Sequence, residues 1–249
     1  MQEQFLNKIL LKRDRIENFE KYPFNIPAVR ELHELVLNPQ VTFLVGENGS
    51  GKSTLIEAIA VSSGFNAEGG SRNFNFSTCH TESCLSDYLL VIRGIRHSHD
   101  GYFLRAESFY NVATNIEELD KINAPAPKLE YSYGGPLHGR SHGESFFALL
   151  NNRLRGHGLY LFDEPEAALS PQRQLAMLCR IHQLVKQDSQ FIIATHSPIL
   201  TAYPGSTIYA LSETGIRQVE YEKTENFLLT KRFLNDYKNI LNELMRDGG

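Results

Sequence analysis

Cysteine is scarce in this chain. Cys79, Cys84 and Cys179 are the only three in 249 residues, too few and too irregularly spaced for a disulfide framework, so reduced thiols are expected. No apolar run approaches the roughly 18 residues that span a bilayer. The opening MQEQFLNKILLKRDR lacks the basic start and apolar core of a leader. The expectation is a cytoplasmic protein with no membrane insertion. Positive charge is not in excess either: 25 Lys and Arg against 29 Asp and Glu leave a net charge of -4. That excludes the broad basic footprint of a dedicated nucleic-acid binder. Local clusters, Arg93 with Arg96 and Lys12 with Arg13 and Arg15, leave DNA binding open without pointing to it. No internal repeat is visible. A hydrophobic share of 41% with 22% charged residues is that of an ordinary globular core.

What is present is an alternation of strands and helices. VTFLV, Val41 to Val45, is a continuous apolar β-rich run, as expected of a strand buried on both faces of a parallel sheet. It leads into a glycine-rich turn and then a helical stretch, STLIEAIAVSSGF. Further on, a helix over 142–155, a strand at 159–162, a helix over 171–187, a strand over 190–195 and a short strand near 207–211 follow one another. Such alternation predicts an α/β fold with a mostly parallel central sheet. Two short strands are expected within 5–16 and 27–36, two more near 88–93 and 101–106, and a helix over 111–122. Residues 64–87 read as a loop excursion and 123–140 as a proline-rich connector. The last segment places Phe227, Leu234, Tyr237, Leu241 and Leu244 on one helical face, expected to dock on the core. The division that follows is a single domain over 1–249. Its core would be drawn from 1–63 and 157–215, with a lobe over 64–156 and a C-terminal helix over 222–246.

GENGSGKS, Gly46 to Ser53, satisfies G-x-x-x-x-G-K-[ST] and stands where that motif needs to stand, after a buried strand and at the start of a helix. Gly46, Gly49 and Gly51 permit a tight turn in which backbone amides converge on phosphate oxygens, with Asn48 and Ser50 in the same loop. The helix N-terminus adds a favourable dipole. Lys52 would reach the β- and γ-phosphates, Ser53 would ligate Mg²⁺, and Thr54 would add a phosphate contact. In GLYLFDEPEAALSP, Asp163 ends a strand and can hold the magnesium shell. Glu164 beside it can orient and deprotonate an attacking water. ATHSP, Ala194 to Pro198, carries His196 to the end of the next strand, at the edge where open α/β sheets bind ligands.

Cradle, strand-DEP and strand-THS in that order resemble the nucleotide-binding domains of ABC-class ATPases, across most of 41–200. The resemblance implies a P-loop ABC-type head domain, with ATP and Mg²⁺ as cofactors and an ATP-dependent head-to-tail homodimer. It places Lys52, Ser53, Asp163, Glu164 and His196 at the Walker A, Walker B, catalytic glutamate and switch-histidine positions. It also gives RSHGES a meaning. Ser141 and the Gly143 amide sit where the family's signature, typically LSGGQ, binds the γ-phosphate held by the other protomer. Here His142 and Glu144 depart from that signature, and Ser141 with Glu144 also reads as a plain capping box.

No glutamine lies between Lys52 and Asp163, so the family's Q-loop residue must be replaced, and Glu107 is the substitute expected in the magnesium shell. DEPEAALSP and ATHSPIL look closer to the soluble branch of the class, the predicted bacterial ATPases related to structural-maintenance, recombination and overcoming-lysogenization ATPases. About 110 residues separate Lys52 from Asp163, too few for a coiled-coil arm. The resemblance implies turnover coupled to an unidentified protein partner. Its rivals are an ATP-gated dimerisation switch recruiting a nuclease, toxin or DNA, a DNA-end or repair ATPase, and the energy subunit of a transporter. Cys79, His80 and Cys84, with His97 and His99, match no common zinc spacing and are expected to be a polar loop.

Overall fold

A computed structural model describes residues 4–72, 84–106, 131, 135 and 142–246. Its main sheet has six strands: β3 (Val41–Gly46), β5 (Asp100–Arg105), β6 (Gly158–Asp163), β7 (Gln190–Ala194), β8 (Thr207–Ser212) and β9 (Gly215–Val219). Their order is β5-β6-β7-β3-β8-β9. All neighbours run parallel except β8 and β9, which form an antiparallel hairpin. A smaller antiparallel sheet orders β2 (Glu34–Val36), β1 (Leu6–Leu11) and β4 (Leu89–Arg93).

The central strands are apolar throughout because both faces of the sheet are covered. Phe43, Phe162, Phe191 and Ile193 pack on one side, against α4 (His142–Asn152) and α5 (Pro171–Val185). Leu44, Leu161 and Ile192 pack on the other. There they meet α2 (Lys52–Ser62) and, beyond it, the small sheet through Leu6, Ile9 and Leu35. Helix α5 begins where Pro171 takes the first helical position and the Ser170 hydroxyl accepts from the Arg173 amide.

The expected strand over 27–36 divides in two. Pro27, with its φ already helical, opens the short helix α1 (Pro27–Arg30), and only Glu34–Val36 is extended. Strand β9 was not expected. Its five residues are short and half polar, and the hairpin turn at Glu213 and Thr214 carries no Asn-Gly or Asp-Gly signal. A four-residue helix, α3 (Leu85–Tyr88), precedes β4.

The expected docking of the C-terminal helix is also corrected. Helix α6 (Glu225–Arg246) has no buried residue, and Leu234, Tyr237 and Leu244 are largely exposed. Its stripe is amphipathic, but Asp236 leaves helical geometry within it (φ -141, ψ 36); at its start Phe227 packs on Tyr221, with ring centroids 4.7 Å apart, while the residues beyond stand largely in solvent. The helix expected over 111–122 and the connector over 123–140 lie outside the described residues, residues 131 and 135 excepted. Among the described residues, no helix is long and apolar enough to cross a membrane.

Candidate active site

The carboxyl ends of β3, β6 and β7 lie side by side. Leu44 and Asp163 each pair with Ala194 of β7, which sits between the two outer strands. The bonding continues past the strand ends. The Glu164 amide donates to the Ala194 carbonyl at 2.9 Å, and the Thr195 amide to the Leu44 carbonyl at 3.0 Å. Three loops that are distant in sequence therefore start from one edge.

The first loop is the glycine-rich turn. Gly46 has φ +153, and a Cβ there would fall 2.3 Å from the Leu211 carbonyl oxygen. Gly51 has φ +95, and its Cβ would meet Ile26 Cγ2 at 2.6 Å. Both positions admit only glycine, one for close approach to a neighbouring strand and the other for conformation and space together. Lys52 is 3% exposed. Its Nζ donates to the Gly46 and Glu47 carbonyls at 3.0 and 2.9 Å. Burial holds its ammonium below the ordinary lysine pKa, against the raising effect of Glu164, Asp163 and Glu166. Ser50 Oγ is buried with no hydrogen-bond partner, an orphan donor inside a turn shaped for an anion.

The second loop follows β6. The Ser53 hydroxyl donates to Asp163 Oδ1 at 3.1 Å across 110 residues of chain. Two neighbouring ligands of one octahedral Mg²⁺ stand about 2.9 Å apart, so this pair of hard oxygens fits that ion. Asp163's other oxygen lies 3.9 Å from Arg105 Nε. Arg105 ends β5 in register with Asp163 and pairs with Glu57 at 2.8 Å. Sequence reasoning passed over Arg105, which stands two residues before Glu107. Glu107 and Ser141 lie outside the described residues.

Glu164 adopts φ 49, ψ 50, a left-handed conformation that costs a non-glycine residue on the order of 1 kcal/mol or more. That reversal brings it to the wall of a cleft of ≈ 640 Å³, with Asn48, Gly49, Gly51, Lys52, Ser53 and Thr54. Tyr22, Asn25, Ile26 and Pro27 complete the cleft. Tyr22 is 64% exposed, and its hydroxyl stands 3.4 Å from Thr54 Oγ1. The irregular FEKYPFNIP connection carried no sequence signal for this placement.

The third loop is ATHSP. His196 Nε2 stands 3.2 Å from Glu164 Oε1 but is not aligned for a hydrogen bond. Thr195 and Ser197 do different work from the histidine. Both are buried, and the Ser197 hydroxyl donates to Gln174 Oε1 while accepting from the Ile199 and Leu200 amides. Gln174 Nε2 in turn donates to the Leu169 carbonyl. This glutamine of α5 therefore ties the loop after Glu164 to the loop after β7.

Gly143 is buried in the first turn of α4. A Cβ there would lie 2.2 Å from Arg173 Nη1 and 3.0 Å from the Ala168 carbonyl oxygen, so its lack of a side chain lets the loop at 164–170 close on α4. Cys84 and Cys179 are free thiols. Cys79 and His80 lie outside the described residues, and among the described ones no three His, Cys, Asp or Glu side chains gather into a metal site.

A family model described as an AAA domain matches residues 15–121. The ribose import ATP-binding protein RbsA of Jannaschia sp. (strain CCS1) is 28% identical over 189 residues, 67% of this chain and 35% of that protein. The chain thus spans about a third of that relative's length. The L-cystine transport system ATP-binding protein TcyN of Escherichia coli (strain K12) is 26% identical over 178 residues, 63% of this chain and 69% of that one. Among solved structures, the SMC head domain from Thermotoga maritima is similar with a TM-score of 0.47 and 16% identity, covering 87% of this chain and all of that one (100%). The family match runs across the cradle and β5, and both curated relatives are named as ATP-binding proteins. One mostly parallel sheet carries Lys52, Asp163 and His196 to a single edge, and in sequence the chain is similar to an AAA domain and to these two ATP-binding proteins.

Proposed function

We propose that the chain binds Mg-ATP in this cleft and hydrolyses it, with nucleotide joining two copies head to tail. The observation that carries the reading is the Ser53–Asp163 contact at 3.1 Å, in a cleft that Lys52 and Glu164 also line. Ser53 and Asp163 would hold Mg²⁺, which supplies charge neutralisation at the phosphate oxygens. Ser50 and the loop amides would take the phosphates. Lys52, already turned towards the loop carbonyls, would exchange them for β- and γ-oxygens. Glu164 would orient the attacking water and accept its proton. His196, at hydrogen-bond distance from Glu164, would meet the γ-phosphate. Tyr22 offers an exposed ring on which the base can stack. Ser141 and the Gly143 amide would complete the site of the partner copy, as donors at a helix start suit an anion. Turnover of this kind drives a conformational cycle in a soluble complex with a further protein.

The test is the mass of Glu164→Gln by light scattering with and without Mg-ATP, beside the ATPase activity of the wild type and of Ser141→Arg. Conversion of monomer to dimer by ATP, abolished together with turnover by Ser141→Arg, is the expected result. A mass that stays monomeric while the wild type hydrolyses ATP would refute the shared site. A second reading, an ATP-gated switch that recruits a partner with hydrolysis as timer, is favoured by the exposed apolar stripe of α6. A transport role, which the names of the two relatives carry for those proteins, predicts co-purification with detergent-solubilised membranes.

A further inference from the structure

His196 is bracketed through its own peptide groups. On one side, Glu166 of the loop after β6 accepts from the His196 amide. On the other, Asn226 Nδ2, in the first turn of α6, donates to the His196 carbonyl at 2.8 Å. Just before that helix, the Tyr221 hydroxyl donates to the Pro198 carbonyl at 2.8 Å. The start of the C-terminal helix is therefore hydrogen-bonded to the loop that carries the histidine, while the rest of the helix runs on with no buried residue. Moving the helix base by more than a few tenths of an ångström either breaks the Asn226 bond or takes the His196 carbonyl with it, given the narrow range of N–H···O distances, about 2.7–3.2 Å. The imidazole, 3.2 Å from Glu164 and out of alignment, is the group such a displacement would bring into or out of register. Glu166 cannot fill this role alone, since it fixes the amide and leaves the carbonyl to Asn226.

We propose that Asn226 is a positioning residue for His196, through which the seat of the C-terminal helix sets where the histidine stands beside Glu164. The proposal rests on the reading of His196 as the residue that meets the γ-phosphate. It supplies what that reading lacks: a route by which whatever engages the exposed helix reaches the reacting end of the nucleotide. Asn226 touches no part of the cleft itself.

The experiment compares the full-length wild type with Asn226→Ala, Asn226→Asp and Lys238→Ala. Asn226→Asp keeps size but loses the donor. Lys238, exposed and beyond Asp236 on the same helix, serves as control. Three quantities are read: steady-state kcat and KM for ATP, the melting temperature, and the ring-proton resonance of His196 without nucleotide, assigned by its loss in His196→Asn. Both Asn226 variants should lower kcat by about threefold to tenfold, the range one lost hydrogen bond supports, with KM within about twofold. Both should move the His196 resonance, and Lys238→Ala should do neither. An unmoved resonance with unchanged kcat in both Asn226 variants would overturn the proposal. So would a fall in melting temperature with kcat and KM changed together, the mark of a contact that is only structural. If the wild type fails to hydrolyse ATP yet the resonance still moves, the nucleotide reading fails while the link from Asn226 to His196 stands.

Discussion

Gln190 opens β7 and is 1% exposed. Its amide makes four hydrogen bonds to backbone that belongs to other parts of the fold. Oε1 accepts from the Phe5 and Leu6 amides at 3.1 and 2.9 Å. Nε2 donates to the Leu6 and Asn38 carbonyls at 2.8 and 2.9 Å. One side chain thus ties the start of β1, in the small sheet, to the main sheet and to the turn that feeds the cradle strand. Gln190→Leu keeps the volume and removes all four bonds. At about 1 kcal/mol net for each, the loss is about 4 kcal/mol, offset by roughly 1 kcal/mol for a better-buried apolar side chain. A net 3 kcal/mol corresponds to a fall in melting temperature of about 6–12 °C for a chain of this size. Gln190→Glu keeps the oxygen that accepts from the two amides but turns a buried carboxylate on two carbonyls. Burial should raise that carboxyl's folded pKa above its unfolded value, so the native state would bind the extra proton and the variant's deficit should shrink as pH falls towards about 4. Thermal melts followed by circular dichroism, at pH 7 and pH 5, measure both effects against the wild type. A Gln190→Leu protein melting within about 2 °C of wild type would refute the reasoning, because four buried hydrogen bonds cannot be lost at so little cost.

Other consequences of the structure are as direct. Lys52→Met should abolish ATP binding without lowering the melting temperature of the nucleotide-free protein at pH 7. The native lysine has its pKa lowered by burial. Between the lowered folded pKa and the unfolded value the unfolded chain binds more protons, so wild-type stability should gain on the variant as pH rises through that window. Parallel melts across pH, with a fluorescent nucleotide for binding, would detect the opposite trend. Gly143→Ala, whose Cβ would fall 2.2 Å from Arg173 Nη1 and 3.0 Å from the Ala168 carbonyl, should push the loop at 164–170 away and cut ATPase activity about tenfold or more, for misplacement near 1 Å. Activity within a factor of two of wild type would show that Arg173 moves aside harmlessly. Leu244→Glu, at a position 68% exposed, should leave the melting temperature within about 2 °C of wild type. A larger fall would mean that the stripe of α6 is covered by something the chain itself provides.

Much of this protein is written locally. The cradle was legible because its requirements are those of a few consecutive residues: glycines where φ is positive or a strand passes close, a lysine and serine opening a helix, and an apolar run before them. Strands β3, β6 and β7 were legible as continuous apolar runs, since a strand covered on both faces has no polar side to show. The helix expected over 171–187 is α5, and its start is fixed by the Ser170 cap and by Pro171 at the first helical position. Where local chemistry was ambiguous, prediction slipped. Pro27 turned an expected strand into a helical turn, and β9 carried too little apolar periodicity to be seen.

The sequence by itself determined the cradle, the strand-end residues Asp163, Glu164 and His196, and the α/β class, because each depends on neighbours within a turn or a strand. Tertiary structure alone decided that Ser53 meets Asp163 across 110 residues, that β7 lies between β6, which ends in Asp163, and β3, which leads into the loop before Ser53, and that Arg105 flanks the same carboxylate. It alone decided that Tyr22 walls the cleft, that Gln190 joins two sheets, and that Asn226 holds His196. These contacts follow from strand order and from the closure of long loops. The free energy of closing them is gathered from the whole core rather than from the residues that meet, so no short stretch of sequence carries their signature.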